Sequence, residues 1–501
     1  MKRLLRAAFV SAAVLAIAIS CIEKGNTDPE QDPELQANLK ALKYLKQDIM
    51  DRYYYWYTRM PDVSFSAHTN IYTYFDNVLY SGDRWSWMTD GQTYIADETG
   101  VIYGTYGAGF AQPLDDFNDY NIYVRMVFPN SPFANAGVRR GYMLYAIDGL
   151  SVEDYWLSNQ THLDQLNGLL GAPEADEAHL FDFMTPKGEL MSCTIAATQS
   201  LETRPCLKAG IFTAKDYPGL TEPVGYFNYL GFKADEDING KTMLDDITEP
   251  MAYFKENGVK TLIVDLRYNG GGDSQASNLL VSYLAPASAL GRIYVKRTHN
   301  NKLKSLDKSM SVDSPRDVIA RLKKEHITFS CEPDSPGFEH LYFITGKGSA
   351  SASEMALNGL KPLADLKHVG GVTYGKPNGM YVFMYPNDAR AQVSYNKNDY
   401  SRLQYVFLPI CYYNENGLGQ VIPDSGLVPD NIRPDDVYHD FGVEEDNIAA
   451  CLYDIVNGSF PELPLKTKSA KARTAPKLKL LLNKEDTDPN YGLYTVKPDF
   501  L

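Results

Sequence analysis

Cysteine and histidine are scarce in this chain, which has six cysteines and eight histidines among 501 residues. The cysteines are widely spaced and form no CxxC pair, so the sequence defines no disulfide framework, although a single disulfide remains open. Basic residues are fewer than acidic ones, with 48 lysines and arginines against 63 aspartates and glutamates. The resulting formal charge of -15 disfavours binding to nucleic acid, because its phosphates would repel the protein.

The N-terminus has the pattern of a secretory signal. Residues 2–6 carry three basic side chains, and the apolar run at 7–19 is too short to cross a bilayer. The run ends in AIS immediately before Cys21, which resembles the lipobox of bacterial lipoproteins. We therefore expect residues 1–20 to be a signal peptide, Cys21 to be lipidated and residues 21–34 to form an acidic linker. The alternative is a plain secretory signal in which the cysteine is incidental.

The length and composition predict several globular units. At roughly 100 to 200 residues per domain the chain corresponds to about three units, and its hydrophobic fraction of 44% is ordinary for a globular protein. A helical segment is expected over residues 35–103, because Leu42, Leu45 and Ile49 recur at helical spacing. The aromatic run YYYWY at 53–57 is interpreted as core and not as a recognition surface.

A small, mostly β unit is predicted over residues 104–199, where short strands alternate with turns. It resembles a PDZ domain, because a GAGF run is followed by VFPNSP at 127–132 and AIDG at 146–149. The resemblance implies a site for the carboxylate of a free peptide C-terminus, held by the backbone N–H groups of Gly107, Ala108, Gly109 and Phe110. Tyr142 departs from the aspartate that is common in these domains.

An α/β core is predicted over residues 200–440, because apolar strands alternate there with amphipathic helices. Strands are expected at 224–229, 261–266 and 341–345. The last of these strands leads into a turn of small residues and then into a helix that begins near Ser351.

The most informative segment lies in that turn, where residues 348–354 read GSASASE. A serine there is close to a helix N-terminus, whose N–H groups and dipole favour developing negative charge. The segment resembles the nucleophile motif of the C-terminal processing, or tail-specific, serine peptidases, and the resemblance extends over about residues 35–440. It implies an α/β peptidase core of the ClpP/crotonase-like type in which Ser351 is the nucleophile and no cofactor or metal takes part.

The resemblance also implies a general base. The family's base is a lysine 25 positions after the serine in a T-[FY]-G-K sequence, and residues 373–376 read TYGK, so Lys376 has this spacing from Ser351. A lysine can accept a proton only where its surroundings disfavour the ammonium form, so we expect Lys376 to be buried. The DLRYNGGG run at 265–272 resembles the family's oxyanion segment and implies two backbone donors, the N–H groups of Gly271 and Ala352.

Other positions match the family with one exception. Glu354 and Thr373 correspond to supporting positions, and the GLVPD run at 426–430 resembles the family's closing segment. Family members commonly have a glutamine four residues after the lysine, where this chain has Met380. Asn378 is the candidate to orient the lysine instead.

Two other hypotheses remain open. One is a catalytically silent protein that uses the same fold to bind peptides or protein tails. The other is a Ser-His peptidase of the tricorn type, in which His368 or His299 serves Ser351. His368 has no carboxylate partner visible in the sequence, which favours a structural role for it.

Two further patterns are rejected. Residues 370–376 have the GxxxxGK spacing of a phosphate-binding loop, but Pro377 stands where a serine or threonine would hold magnesium. Residues 305–308 fit the SxxK pattern of penicillin-binding enzymes without its partner motifs, and we expect them on an exposed surface.

The sequence therefore predicts an α/β (α+β multidomain) protein in six parts. These are a signal peptide (1–20), a linker (21–34), a helical domain (35–103), a PDZ-like domain (104–199), a serine peptidase core (200–440) and a C-terminal helix with a lysine-bearing tail (441–501). The expected function is hydrolysis of peptide bonds in exported proteins by a lipid-anchored endopeptidase that faces the periplasm or the cell surface. Its expected partners are protein or peptide substrates with free C-terminal tails, and the membrane that holds its anchor.

Overall fold

The computed structural model describes residues 33–64, 70–111, 121–158, 160–171, 173, 175, 177–332, 334–386, 403–462 and 494–495. The predicted signal peptide, Cys21 and the lysine-bearing stretch of the tail lie outside this part of the chain. Within it, no helix is long and apolar enough to cross a bilayer. The five cysteines that it contains are free thiols: Cys193, Cys206, Cys331, Cys411 and Cys451.

The described chain starts with a helical segment whose apolar face packs on the core. Its parts are α1 (Pro33–Lys43), a π-helical continuation (Tyr44–Met50), a short helical turn (Asp51–Tyr53), a 3-10 turn (Tyr57–Arg59) and α2 (Ile71–Val78). Leu42, Leu45 and Ile49 are fully buried, as their spacing predicts. Tyr53 and Tyr54 belong to the same buried cluster, so the interpretation of the aromatic run as core is confirmed for these two residues.

The helical segment ends before residue 103, which differs from the prediction. It is followed by β1 (Trp87–Asp90), α3 (Gly91–Glu98) and β2 (Val101–Thr105). β1 pairs antiparallel with β19 (Leu403–Leu408), and β2 pairs with β9 (Thr198–Glu202). Both pairings join distant parts of the chain, so local spacing carries no signal for them.

A β-rich unit with its own core lies between β2 and β9, as the strand pattern predicts. Its strands are β3 (Ala108–Ala111), β4 (Ile122–Val127), β5 (Met143–Ile147), β6 (Leu150–Ser151), β7 (Ala178–Met184) and β8 (Leu190–Ala196). The strand order is β3-β4-β5-β7-β8 with β6 beside β5, so β3 is an edge strand. Its helices are α4 (Pro132–Asn135), α5 (Val152–Ser158) and α6 (Gln160–Gly171). Phe110, Phe133 and Phe181 pack together in its core.

A six-stranded sheet forms the centre of the remaining chain. Its strands, in spatial order, are β10 (Cys206–Phe212), β11 (Val224–Tyr229), β12 (Thr261–Asp265), β15 (His340–Thr345), β16 (Leu366–Gly370) and β21 (Asn431–Ile432). β10 is antiparallel to β11, and the other neighbours are parallel. The helices of this part are α7 (Asp245–Glu256), α8 (Ser274–Leu284), α9 (Pro315–Lys324), α10 (Ala352–Leu360) and α11 (Asp446–Asn457). The predicted α/β class is confirmed, and the three expected strands lie within one residue of their predicted bounds.

Two smaller sheets were not anticipated. One has the order β14 (Lys308–Ser311), β13 (Ile293–His299), β20 (Ile410–Glu415), β17 (Asn378–Tyr381) and β22 (Tyr494–Thr495). The other joins β1, β19 and β18 (Phe383–Pro386). Short 3-10 turns at Ala287–Ala289 and Lys304–Leu306 complete the regular structure of this region. These sheets carry the chain that follows Lys376 and pack it against the N-terminal segment.

Candidate active site

Three loops meet at one edge of the central sheet. They follow β12, β15 and β16, which are adjacent and parallel, so the carboxyl ends of the three strands lie side by side. The first loop contains Gly271, the second Ser351 and the third Lys376. The topology thus brings together three motifs that are far apart in sequence, at the edge where open α/β sheets place their ligands.

Ser351 has an unusual backbone conformation. It directly precedes α10 and has φ 53° and ψ -103°, a combination that residues other than glycine rarely adopt. Only 1% of its surface is exposed. The first N–H groups of a helix, here including that of Ala352, have no acceptor within the helix. They create positive potential beside the serine.

Gly271 lies directly against this serine. A Cβ at its position would be 3.0 Å from both the Cβ of Ser351 and the nitrogen of Ala352, and its φ is 108°. Space and conformation therefore both require glycine. The N–H of Gly271 donates to Oδ1 of Asn269 at 2.9 Å. The predicted oxyanion donor is beside the serine, but in this structure it is bonded within its own loop.

The carboxylate of Glu354 connects the serine loop to the lysine loop. Its Oε2 accepts hydrogen bonds from the backbone N–H groups of Ser351 at 2.9 Å and Lys376 at 2.8 Å. Its Oε1 accepts from the N–H of Gly375 at 2.8 Å and from the hydroxyl of Thr373 at 2.5 Å. Because one oxygen binds both N–H groups, the main chains of Ser351 and Lys376 lie side by side. Burial raises the pKa of Glu354, and the four donors oppose this rise by stabilising the carboxylate.

The lysine loop is also tied to the predicted closing segment. Lys376 itself has only 1% of its surface exposed, as expected for the general base. The hydroxyl of Thr373 accepts from the N–H of Leu427 at 2.7 Å. A Cβ on Gly426 would be 2.1 Å from the carbonyl oxygen of Thr373, so the two backbones are in direct contact. The closing segment therefore supports the loop that carries the lysine.

The residues that follow the lysine continue into β17. Met380 is fully buried in an apolar cluster with Trp85 and Leu408. Asn378 is also buried and lies opposite Tyr413 of β20. The methionine at the position where the family commonly has glutamine is therefore part of the packing between β17 and the N-terminal segment.

The two candidate histidines make contacts that suit structural roles. Nε2 of His368 is 2.6 Å from Oγ1 of Thr345, and burial lowers the pKa of His368 to about 4. His299 lies on β13, where its Nε2 is 2.8 Å from the hydroxyl of Tyr381 and its Nδ1 is 3.1 Å from Asp307. No local sequence pattern would have revealed the contacts with Thr345 and Tyr381, which lie on other strands of the fold.

The remaining sequence patterns occupy unexceptional positions. Within the described residues, no group of histidine, cysteine, aspartate and glutamate side chains could hold a metal ion. Ser305 of the SxxK run is exposed, as expected. In the GxxxxGK run, Gly375 and Lys376 donate their N–H groups to the carboxylate of Glu354. These donors are already occupied by an anion, so they are not available to a phosphate.

The GAGF run lies at the edge of the β-rich unit. Ala108 and Gly109 start the edge strand β3, and Phe110 is buried in the core of the unit. Gly107 has φ 78°, and a Cβ there would be 2.1 Å from the Cβ of Ser131, so only glycine fits. An edge strand beside such a turn is a suitable place for an added peptide strand. The binding of a carboxylate by these four residues stays a prediction.

A cleft opens beside Gly271 and Gly272. The N-terminal segment, the β-rich unit and the central core all contribute to its walls. The apolar part of the lining includes Trp87, Tyr94, Val101, Met126, Phe128 and Leu230. The cleft is mostly apolar and reaches the Gly271 loop, while Ser351 and Lys376 are not among the residues that line it.

Sequence reasoning missed one residue at the lysine loop. Nη2 of Arg84 donates to the carbonyl oxygens of Gly375 and Asp424, each at 3.2 Å. The guanidinium also lies over the ring of Trp85, 4.7 Å from its centroid. Arg84 and Gly375 are 291 residues apart, so no local pattern could have indicated this contact.

The comparison with known families agrees with this geometry. Residues 223–405 match the sequence model of peptidase family S41, and residues 47–87 match that of the peptidase S41 N-terminal domain. These two segments are therefore similar to peptidase family S41. The matched range 223–405 includes Gly271, Ser351 and Lys376. The matched range 47–87 includes Arg84. No curated protein matches the chain.

One solved structure shows a similar fold. A crystal structure described as an S41 protease from Bacteroides fragilis NCTC 9343 is similar with a TM-score of 0.62 and 20% identity, over 81% of this chain and 96% of that one. More distant matches are the photosystem II D1 C-terminal processing protease (TM-score 0.42, 16% identity, 80% and 94% covered) and mature CPAF complexed with lactacystin (0.45, 14%, 85% and 100%).

Proposed function

We propose that the protein is a serine endopeptidase of the C-terminal processing type, with Ser351 as nucleophile and Lys376 as general base. The observation that carries this proposal is the shared carboxylate oxygen of Glu354. That oxygen binds the main chains of both residues and so holds a strained, buried serine beside a buried lysine. A buried amine is more readily neutral than an exposed one, and only the neutral amine can accept a proton.

The reaction follows from these positions. The amine of Lys376 takes the proton of the Ser351 hydroxyl as the serine oxygen attacks the substrate carbonyl. The peptide C–N bond then breaks, the leaving amine receives the proton, and water hydrolyses the acyl-enzyme with the lysine again as base. The N–H of Ala352 at the start of α10 stabilises the oxyanion. The N–H of Gly271 joins it when Asn269 releases its hydrogen bond.

The cleft beside Gly271 is the proposed substrate site, and its apolar walls favour polypeptides with apolar side chains. The edge strand β3 and the turn at Gly107 are proposed to hold the substrate's C-terminal tail. We further propose that the protein is exported and anchored through a lipid on Cys21, facing the periplasm or the cell surface. An absence of fatty-acyl label on the chain produced in a bacterial host would refute the anchor.

The test is cleavage of an unfolded protein with an apolar C-terminus by wild type, Ser351→Ala and Lys376→Ala. We expect both variants to lose at least about 1,000-fold in rate, because the two residues act as a unit. Lys255→Ala is the matched control, since this exposed lysine of α7 pairs with the exposed Asp334. Equal rates in wild type and both dyad variants would remove the proposal.

A second candidate is a catalytically silent protein that binds protein tails. The hydrogen bond from Gly271 to Asn269 favours it, because this bond occupies one of the two predicted oxyanion donors. The same experiment separates the candidates if tail-peptide binding is measured by fluorescence anisotropy. A wild type that binds the tail and never cleaves supports the silent protein. Loss of cleavage in His368→Ala with retention in Lys376→Ala would instead support the Ser-His hypothesis.

A further inference from the structure

The peptide group between Gly375 and Lys376 is hydrogen-bonded on both of its sides. Its N–H, which belongs to Lys376, donates to Oε2 of Glu354 at 2.8 Å. Its carbonyl oxygen, which belongs to Gly375, accepts from Nη2 of Arg84 at 3.2 Å. A planar peptide that is held at both polar atoms is restrained in its orientation, and the Cα of Lys376, which lies in the same plane, is restrained with it.

The second acceptor of Arg84 ties this peptide to the neighbouring segment. The carbonyl oxygen of Asp424 also lies 3.2 Å from Nη2. Gly375 has φ 89°, and a Cβ there would be 2.3 Å from that same oxygen, so the two backbones are packed together at this point. Arg84 therefore bridges the carbonyl groups of two backbone segments that pack together.

Arg84 is itself held in place. The carboxylate of Asp83 accepts from the N–H groups of Trp85 and Ser86, at 2.9 and 3.0 Å, and from the hydroxyl of Tyr54 at 2.8 Å. Trp85 is 3% exposed and stacks under the guanidinium. The backbone that presents Arg84 is thus anchored by its neighbours, while the Arg84 side chain itself is exposed.

We propose that Arg84 is a positioning residue for Lys376, acting through the carbonyl oxygen of Gly375. The inference rests on the proposed peptidase function. The contact between Arg84 and Gly375 would orient the lysine loop in a chain that has Met380 in place of the glutamine common in the family. Met380 packs with Trp85 in one apolar cluster, and the polar contact to the lysine loop comes from the residue next to that tryptophan.

The test compares Arg84→Gln with Arg59→Gln. Arg59 lies in the same N-terminal segment but contacts Tyr80. Its Nη1 is 3.4 Å from the tyrosine hydroxyl, and its Cζ is 5.3 Å from the centroid of the ring. The kinetic constants kcat and KM for peptide cleavage are measured from pH 6 to 10 for both variants, together with the rate at which a fluorophosphonate probe labels Ser351. Thermal unfolding midpoints report any general loss of stability.

We expect Arg84→Gln to lower kcat near neutral pH by about tenfold with little change in KM, because a displaced base affects the reaction more than substrate binding. The rising limb of the pH profile should move to higher pH. A lysine that leaves its buried position is hydrated, and hydration keeps its amine charged up to a higher pH. Probe labelling should show the same shift. Arg59→Gln should match wild type in all three respects.

Two outcomes would overturn the inference. One is a pH profile of Arg84→Gln that coincides with that of Arg59→Gln while Ser351→Ala is inactive, which would leave the peptidase proposal intact. The other is a lower kcat with an unmoved pH profile and a lower unfolding midpoint, which would show a structural role only. A wild type that neither cleaves nor labels would instead remove the peptidase function and the inference with it.

Discussion

At the scale of single residues, Glu354 organises the candidate site. Its two carboxylate oxygens accept from four donors, two on each oxygen. Glutamine has nearly the same shape, but its NH2 group would face two donors instead of accepting from them. We expect Glu354→Gln to reduce kcat by about 100-fold or more and to lower the free energy of unfolding by about 2 kcal/mol.

Peptide cleavage and denaturant unfolding measure these two effects. Thr373→Ser is the matched control, because it keeps the hydroxyl that donates to Oε1 and should remain close to wild type. Cleavage by Glu354→Gln at the wild-type rate would show that the carboxylate does not organise the two loops.

The residue scale also shows what the sequence could reveal. Ser351 and Lys376 are recognisable from a spacing inside two short motifs, and the structure places their backbones on one carboxylate oxygen. Glu354 was assigned only a supporting position, because its four partners depend on the folded loops. Arg84 had no signal at all, since its acceptors are carbonyl groups, which every residue has.

At the scale of elements, the site depends on the order of strands in the central sheet. The strands β11, β12 and β15 could be predicted because buried parallel strands are continuous apolar runs. Their order could not, because it is determined by pairing between distant segments. The same reason explains why β13, β17 and β20 were missed, although β17 begins two residues after Lys376.

The start of α8 gives a prediction at this scale. Asp273 follows the glycine run and caps the helix, accepting from the N–H groups of Gln275 at 2.6 Å and Ala276 at 3.3 Å. Burial raises the pKa of Asp273 from 3.8 to about 7, against the effect of these two donors. Because the folded-state pKa is the higher one, the protonated carboxyl favours folding at low pH. This contribution is lost as the pH rises from about 4 towards 7.

Asp273→Asn keeps an acceptor for the cap but cannot ionise. We expect the stability of this variant relative to wild type to increase as the pH is raised from 4 to 8, measured as the difference in unfolding midpoint at each pH. Asp90→Asn is the matched control, because Asp90 caps α3 through the N–H of Thr93 in a less buried setting. A difference between Asp273→Asn and wild type that does not change with pH would contradict the raised pKa.

At the scale of the whole molecule, a buried network joins the β-rich unit to the loop that carries Gly271. Arg140 of the β-rich unit donates to the hydroxyl of Tyr268 at 2.6 Å and to Asp435 at 3.1 Å. Tyr268 in turn donates to Asp435 at 2.6 Å, and Arg267 donates to the same carboxylate at 3.0 Å. The two arginines therefore share the carboxylate of Asp435. Of the residues in this network, Arg267 and Tyr268 directly precede the loop that carries the glycine run. A change in how the β-rich unit docks would therefore change the contacts that hold this loop.

Arg140 is the residue through which this docking can be tested. It is 3% exposed and also donates to the carbonyl oxygens of Asp436 at 2.5 Å and His439 at 3.0 Å. Arg140→Met preserves much of the volume but leaves these buried acceptors unpaired. We expect a loss of about 3 kcal/mol in the free energy that holds the unit to the core, seen as faster limited proteolysis between them. Arg139→Met is the matched control, because among the described residues Arg139 donates to carbonyl oxygens of its own unit, those of Ala134 and Val138. If the two variants are cleaved at the same rate and sites, the network does not hold the β-rich unit in place, and its contact with the Gly271 loop is incidental.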